Sequence, residues 1–361
     1  MNKKIIFSAG GTGGHIFPAI NLMKHFVEQG HKVALVTDDR GSHFIRDYSE
    51  FKLYILKVQT PTNKNIFKKI LSFLSIFYSI IKSFIILKKE KPNLVFGVGG
   101  YVSFPISFAS KFFNLPLVIY ENNMVLGRSN KYLSTFSKKI FLAKKIEINF
   151  PAKYEDKTYI VGSILNKDII NSTFSKKNES KRKFSILVLG GSQGAEIFGE
   201  VVPPVVKIIK NEGYEIEIIQ QCIKTQKDSL VNFYDKNNIK SFVFEFHKNI
   251  LQLISSSNLC ITRCGASTIA ELVYTLTPFI AVPLPNSIDN HQYLNAKYYE
   301  NKGCCWLLEQ KNFNTNNLFN LIMDAVKNKN KLEKISENMK KEYNKNVYSD
   351  IENEIKVLIS R

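Results

Sequence analysis

Ile5-Ile6-Phe7-Ser8-Ala9-Gly10-Gly11-Thr12-Gly13-Gly14-His15 is a short apolar run that breaks into glycines and then into a helical pattern. Ile186-Leu187-Val188-Leu189-Gly190-Gly191-Ser192-Gln193-Gly194-Ala195 repeats that form near the middle of the chain. A strand that turns through glycines into a helix leaves first-turn N–H groups without intrahelical partners, where the helix dipole also favours negative charge. Each stretch therefore reads as a phosphate cradle. Two cradles in 361 residues predict two nucleotide-fold domains facing each other, with phosphate on both sides of a cleft.

Outward from these stretches, apolar runs alternate with helical patterns. The runs are Lys32 to Thr37, Leu94 to Gly97, Leu117 to Tyr120, Ile140 to Leu142, Ile216 to Ile219, Phe242 to Phe244, Leu259 to Thr262 and Phe279 to Val282. Strands buried on both faces and separated by helices predict parallel α/β layers. The join falls between Asn149 and Asn166, around Tyr159-Ile160-Val161-Gly162. A Lys- and Asn-rich stretch from Asn171 to Lys183 reads as a solvated connection, and the chain from about Lys327 onward has a helical pattern.

Hydrophobic residues at 44% and charged residues at 22% exclude a disordered chain. The formal net charge of +19 favours an anionic partner: nucleic acid, a membrane face or a phosphorylated substrate. Lysine far outnumbers arginine, and asparagine and isoleucine are abundant; biased base composition gives the same charge, so charge alone decides nothing. Cys222, Cys260, Cys264, Cys304 and Cys305 form no C-x-x-C pair, which predicts reduced thiols in the cytoplasm and no metal finger. Lys3 and Lys4 precede only three apolar residues, so no signal peptide is read there.

The segment Ile66 to Leu87 departs from ordinary surface chemistry. As a helix it aligns Lys68, Ser72, Ser75, Ser79 and Lys82 in a narrow polar stripe, leaving most of its circumference to residues such as Ile70, Phe73, Leu74 and Phe77. Its charge-free run, Ile70 to Ile81, is shorter than the roughly 20 residues that a bilayer crossing needs. Two readings stay open. The helix is sandwiched between sheet and neighbour, or it docks on anionic head groups, with Lys68, Lys69 and other flanking lysines contributing about 1 kcal/mol each.

Gly10 to His15 resembles G-x-G-x-x-G loosely, and Asp38 and Asp39 stand where a dinucleotide fold keeps its ribose acid, so an oxidoreductase survives this far. The second half discriminates better. After Leu259-Cys260-Ile261-Thr262 comes Arg263-Cys264-Gly265-Ala266-Ser267-Thr268, then Glu271. Thr268-x-x-Glu271 fits a capping box, and Glu271 equally fits a carboxylate accepting both hydroxyls of a ribose. Phe279 to Val282 runs into Pro283-Leu284-Pro285 and a polar loop ending Asp289-Asn290-His291-Gln292, where Asp289 or Asn290 could simply cap the next helix.

These motifs, taken in order with Ile16-Phe17-Pro18-Ala19, Gly99-Gly100-Tyr101 and Glu121-Asn122-Asn123, resemble the MurG family, the peptidoglycan N-acetylglucosaminyltransferases of glycosyltransferase family 28. The resemblance runs from Lys4 to about Trp306. It implies a GT-B fold of two Rossmann-like domains across a deep cleft: an acceptor- and membrane-binding domain at 1–160, a donor domain at 161–340, and a final helix at 341–361 packing back on the first. It implies transfer of N-acetylglucosamine from UDP-N-acetylglucosamine to the C4 hydroxyl of lipid I, giving lipid II for the cell wall, cell shape and division.

Carried over by residue, the resemblance gives the donor Thr12, Gly13, Gly14, Asn123, Ser163, Gly191, Ser192, Gln193, His247, Glu271, His291 and Gln292. Phe246-His247 would hold uracil through backbone groups. The acceptor diphosphate takes Gly11, Thr12, Gly13, Gly14, His15, Gly99, Gly100 and Tyr101. Ile70, Phe73, Leu74, Phe77, Lys68 and Lys69 form the membrane patch. The partners implied are lipid I, anionic inner-leaflet lipids and other cell-wall proteins, at the cytoplasmic face of the inner membrane, with no nucleic acid. Two departures stand out: Ser163-Ile164-Leu165-Asn166 replaces the usual Asn-Pro-Val-Arg, removing an arginine expected on the donor, and Glu121-Asn122-Asn123 replaces Glu-Gln-Asn.

Direct displacement at the anomeric carbon inverts it and leaves negative charge on departing UDP, which preorganised N–H groups stabilise by on the order of 3 kcal/mol apiece. The sequence requires no metal or other cofactor. His15 is the candidate base, because imidazole titrates near working pH; the alternative is that it only hydrogen-bonds phosphate.

Overall fold

The computed structural model describes residues 2–45, 48, 50–58, 66–148, 150–172, 183–191 and 195–360, with the side chains of 66–69 outside the description. The chain forms two compact units, Met1–Lys167 with Asn344–Arg361, and Asp168–Tyr343.

The first unit is built on a seven-stranded sheet: β1 (Lys4–Ala9), β2 (Lys32–Thr37), β3 (Lys52–Ile55), β4 (Leu94–Gly99), β5 (Leu117–Glu121), β6 (Lys139–Leu142) and β7 (Thr158–Ile160). Every pairing is parallel, in the order β3-β2-β1-β4-β5-β6-β7. Parallel neighbours need crossovers, and the intervening helices cover both faces, so Ile5, Ile6 and Phe7 are all fully buried. The order reverses between β1 and β4, which opens a crevice beyond their carboxyl ends. Register also slips there: Ser8 pairs with Gly97 but Ala9 with Gly99, so one β4 residue is passed over. Tyr159-Ile160, within the stretch read from sequence as the join, belong to the edge strand β7.

The second unit carries β8 (Phe184–Leu189), β9 (Ile216–Gln221), β10 (Lys240–Phe244), β11 (Leu259–Thr262), β12 (Phe279–Ala281) and β13 (Cys305–Leu307), all parallel, in the order β10-β9-β8-β11-β12-β13. Successive residues of β8 face opposite layers: Ile186 and Val188 pack into one core cluster, Leu187 and Leu189 into the other. Its switch point lies between β8 and β11. All five cysteines are buried free thiols.

One helix of the first unit, Ile66–Glu90, is amphipathic inside out. Its serines Ser72, Ser79 and Ser83 are buried with Ile86 and Leu87, whereas Phe73 is 63% and Phe77 62% exposed, with Ile70, Leu74, Tyr78 and Ile85 also open. Ser75 Oγ donates to the Lys57 carbonyl at 2.7 Å, and Ser79 Oγ reaches the same carbonyl at 3.3 Å. At the C-terminus Glu90 accepts from Lys4 at 3.2 Å, from Lys52 at 2.6 Å and from the Tyr54 hydroxyl. Against the effect of its burial, those partners hold the carboxyl down to about 2. The sandwiched reading is therefore wrong for the outer face. By length and composition Ile70–Glu90, mean hydropathy 2.1, could cross a bilayer, contrary to the sequence reading, but its serine face and Glu90 are committed to the first unit.

Candidate functional site

In the first unit both glycine stretches emerge at the switch point. Gly10 N–H donates to the Gly99 carbonyl at 3.3 Å. A Cβ built on Gly100 (φ +84°) would lie 2.5 Å from the Gly10 carbonyl oxygen, and one on Gly99 (φ +112°) 2.6 Å from His15 Nδ1. Only glycine allows this approach, and the approach seats the half-buried His15 ring against the end of β4. Ser103, which sequence reasoning missed, ties the two ends further, its Oγ 2.9 Å from the Ser8 carbonyl and 2.6 Å from that of Gly99. Thr12 occupies the N-cap of helix Gly13–Glu28 without a side-chain cap bond, so no cap serves the first-turn amides around Gly13 and Gly14. Gly11, Thr12, Gly13, Gly14, His15, Gly99, Gly100 and Tyr101 thus form one cluster.

Asp38 weighs against the oxidoreductase alternative. Its buried Oδ1 accepts from the amides of Gly11 at 3.0 Å and Gly41 at 2.9 Å, and Oδ2 pairs with Arg40 at 3.1 Å. The carboxylate shapes the glycine turn and is not offered to a ribose.

Asn123 follows β5, and Ser163 follows β7. Glu121 accepts from Asn123 N and Nδ2 at 3.1 and 3.0 Å through Oε1, and from Gly127 N and Asn130 Nδ2 at 2.9 Å each through Oε2. The buried Tyr120 hydroxyl donates to Asn122 Oδ1 at 2.9 Å and accepts from Ile164 N at 3.2 Å, which draws the Ser163 segment to the same edge.

In the second unit Gly191 (φ +79°) leaves β8, and Gly190 N–H donates to Gln221 Oε1 at 3.1 Å. Ser192 and Gln193 lie outside the described residues. The helix that follows, Glu196–Asn211, has Ala195 at its N-cap and no side-chain cap bond. Across the switch point, helix Ala266–Tyr274 has Gly265 as its N-cap, again without a side-chain bond. Thr268 is therefore inside the helix, and the capping box read from sequence does not form. Glu271, half-buried, has no carboxylate partner among the described residues, and burial pushes its carboxyl up to about 7.

The loop after β12 corrects one further expectation. Asn290 stands at the N-cap of helix His291–Asn301 in a left-handed conformation with no side-chain cap bond, and Asp289 before it is also left-handed (φ +51°). Gln292 Oε1 accepts from Cys264 N at 3.1 Å and Leu284 N at 3.0 Å. The loops after β11 and β12 are joined through that oxygen, which leaves Gln292 only Nε2 to offer a ligand. His291 Nδ1 donates to the Ile288 carbonyl at 2.7 Å, directing Nε2 outward as the available nitrogen. His247 stands farther off, after β10, its ring edge-on to Phe242 and Phe244, with Asn249 N donating to Nδ1 at 3.2 Å; the neighbouring Phe246 is 78% exposed. Among the described residues no group of three or more His, Cys, Asp or Glu could hold a metal ion.

Residues 5–142 match the glycosyltransferase family 28 N-terminal domain, and residues 185–354 the glycosyltransferase family 28 C-terminal domain. The chain belongs to glycosyltransferase family 28. A family 28 relative from Pelagibacter ubique is 36% identical over 352 residues, covering 97% of each chain, and one from Rickettsia bellii is 34% identical, covering 94% of this chain and 95% of the other. Both are called UDP-N-acetylglucosamine--N-acetylmuramyl-(pentapeptide) pyrophosphoryl-undecaprenol N-acetylglucosamine transferase. Among solved structures, Acinetobacter baumannii MurG superposes with a TM-score of 0.81 at 25% identity, covering 97% of this chain and 98% of that one. The fold is thus GT-B, two Rossmann-like units, and family and relatives together make the chain a UDP-N-acetylglucosamine-dependent glycosyltransferase.

Family 28 membership leaves several supporting residues to the structure alone. Tyr120, Ser103 and Gln221 carried no role in the sequence reading, and Asp38 carried a different one; for Gln221, a polar end to an apolar strand was the available signal.

Proposed function

We propose that the chain transfers N-acetylglucosamine from UDP-N-acetylglucosamine to the C4 hydroxyl of N-acetylmuramoyl-(pentapeptide)-pyrophosphoryl-undecaprenol, with inversion at the anomeric carbon. The observation that carries this reading is a helix N-terminus without an N-cap side-chain bond at the switch point of each sheet, an arrangement that suits a diphosphate in each unit. In the second unit the turn Gly190-Gly191 and helix Glu196–Asn211 receive the donor diphosphate. Their fixed dipoles meet the charge that grows on departing UDP without reorganising. Glu271 accepts the two ribose hydroxyls, and Gln292 Nε2 and His291 Nε2 face the sugar. Backbone groups of Phe246-His247 take the uracil.

In the first unit the cluster of Gly11, Thr12, Gly13, Gly14, Gly99, Gly100 and Tyr101 holds the acceptor diphosphate, and His15 removes the proton from the attacking hydroxyl. The outer face of helix Ile66–Glu90 docks on the cytoplasmic face of the inner membrane, where the lipid acceptor resides. Anionic lipids suit the lysines around it; Lys68 and Lys69 belong to this patch, though their side chains lie outside the described residues. Offering radiolabelled UDP-N-acetylglucosamine together with lipid I or diacylglycerol tests the reading. Label entering lipid I is expected; label entering only diacylglycerol would assign a different acceptor.

A further inference from the structure

Arg263, at the carboxyl end of β11, is a buried arginine without a counter-ion. It is 8% exposed, its guanidinium lies 5.0 Å over the Phe198 ring, and Nη1 donates to the carbonyls of Val282 and Pro283 at 3.2 and 3.3 Å. Nη2 donates to Gln310 Oε1 at 2.6 Å. Every acceptor is neutral, and no carboxylate among the described residues pairs with it. A charge taken out of water without an opposite charge is strongly disfavoured, and an apolar side chain of similar length would fill the same space.

The surroundings deepen the puzzle. Phe198 belongs to the first turn of helix Glu196–Asn211, whose dipole already places positive potential there, so the guanidinium lies beside a field of its own sign. Glu196, the acid of that turn, is exposed and not paired with Arg263. The backbone joins the two switch-point strands as well: Arg263 N donates to the Leu189 carbonyl at 3.2 Å, and a Cβ on Gly191 would lie 4.0 Å from Arg263 Cβ. An uncapped helix end and an uncompensated buried cation converge under one glycine turn. What both lack is an anion.

We propose that Arg263 is a positioning residue and the fixed cation of the donor diphosphate site, acting from beneath the Gly190-Gly191 turn while its guanidinium clamps the loops after β12 and β13. This rests on the second unit being the nucleotide site. Because the guanidinium is locked by its four contacts, it does not reach the phosphates; it raises the potential where they sit, in surroundings where water screens little. The same side chain fixes the backbone of Val282 and Pro283, and Gln292 grips the adjoining Leu284, so the loop leading to His291 is held from both ends.

Titration calorimetry of the full chain with UDP and with uridine separates charge from architecture. Arg263→Met should lower the ratio of UDP to uridine affinity tenfold or more, because this variant and Arg263→Lys both lose the clamp and only UDP carries the diphosphate. Arg263→Lys, which keeps a charge but loses the clamp, should keep the UDP-to-uridine preference within threefold of wild type even where both affinities fall. Equal weakening of both ligands by Arg263→Met, or no change in UDP, overturns the proposal. If Arg263→Met does not fold, loss of the preference in Arg263→Lys overturns it alone. A wild-type chain that binds UDP no better than uridine refutes the donor-site reading itself, a different failure.

Discussion

Glu271→Gln should make the protein more stable and a worse enzyme, and both effects follow from one carboxyl. Burial without a partner raises it from an ordinary 4.5 to about 7. The folded chain therefore holds that proton more tightly than the unfolded chain, and stability declines as pH rises from about 4.5 to about 7. Above that window the ionised carboxylate costs up to about 3 kcal/mol, reduced to roughly 1–3 by the partial access of water. Glutamine removes the charge at nearly constant shape. At 2–4 °C per kcal/mol for a domain of this size, Tm should rise by about 2–12 °C at pH 8 and be unchanged at pH 4.5. Ligand binding moves the other way: an amide replaces two charge-assisted bonds to the ribose, so UDP affinity should fall by about tenfold to a hundredfold. In the wild type, donor kcat/KM should fall about tenfold per pH unit below 7, as the carboxylate protonates. Thermal melts at the two pH values and UDP calorimetry check this directly. A variant that is no more stable at pH 8, or that binds UDP as well as wild type, would refute the reasoning.

His15→Ala should lower kcat by about 10²–10⁴ with UDP affinity within threefold, and equal losses in rate and affinity would remove the base role. Phe73→Ser with Phe77→Ser should weaken sedimentation with anionic liposomes at least tenfold, since each exposed ring contributes about 1–2 kcal/mol on burial; unchanged sedimentation would rule out docking through this face. Gly100→Ala places a Cβ against the Gly10 carbonyl at positive φ and should destabilise by on the order of 2 kcal/mol or more, seen as a Tm drop of about 5 °C or more. An unaltered Tm would mean that the two glycine turns are free to separate.

The strands that flank both switch points were legible because they are buried on both faces, which forces unbroken apolar runs such as Ile5 to Phe7 and Ile186 to Leu189. Edge strands lack that constraint. Lys52-Leu53-Tyr54-Ile55 leaves three of its four residues exposed, and the three-residue β7 and β13 are too short for a period to show. At the site, glycines and the acid Glu271 were readable as types, but the capping box at Thr268 depended on where the helix begins. An extended Gly265 starts it three residues earlier, and only backbone geometry fixes that. Arg263 was visible in the motif, yet its burial without a counter-ion follows from three loops remote in sequence, which no local pattern reports.

The apolar helix shows the same division between pattern and orientation. Its serine stripe is plain in the sequence, but the usual rule turns the apolar side toward the core, and here the rule fails. Small hydroxyl side chains let the helix lie close on the first unit and bond the Lys57 carbonyl, while Lys4, Lys52 and Tyr54 fix its end through Glu90. Water would oppose that arrangement, because it leaves Phe73, Leu74, Phe77, Tyr78 and Ile81 on one open face. Along Ile70 to Ile85 the serines turn inward and the large apolar side chains outward, an arrangement that an apolar environment on the outer side would favour. If the acceptor is lipid-borne, docking through this face would hold the first unit at the surface where that lipid is found.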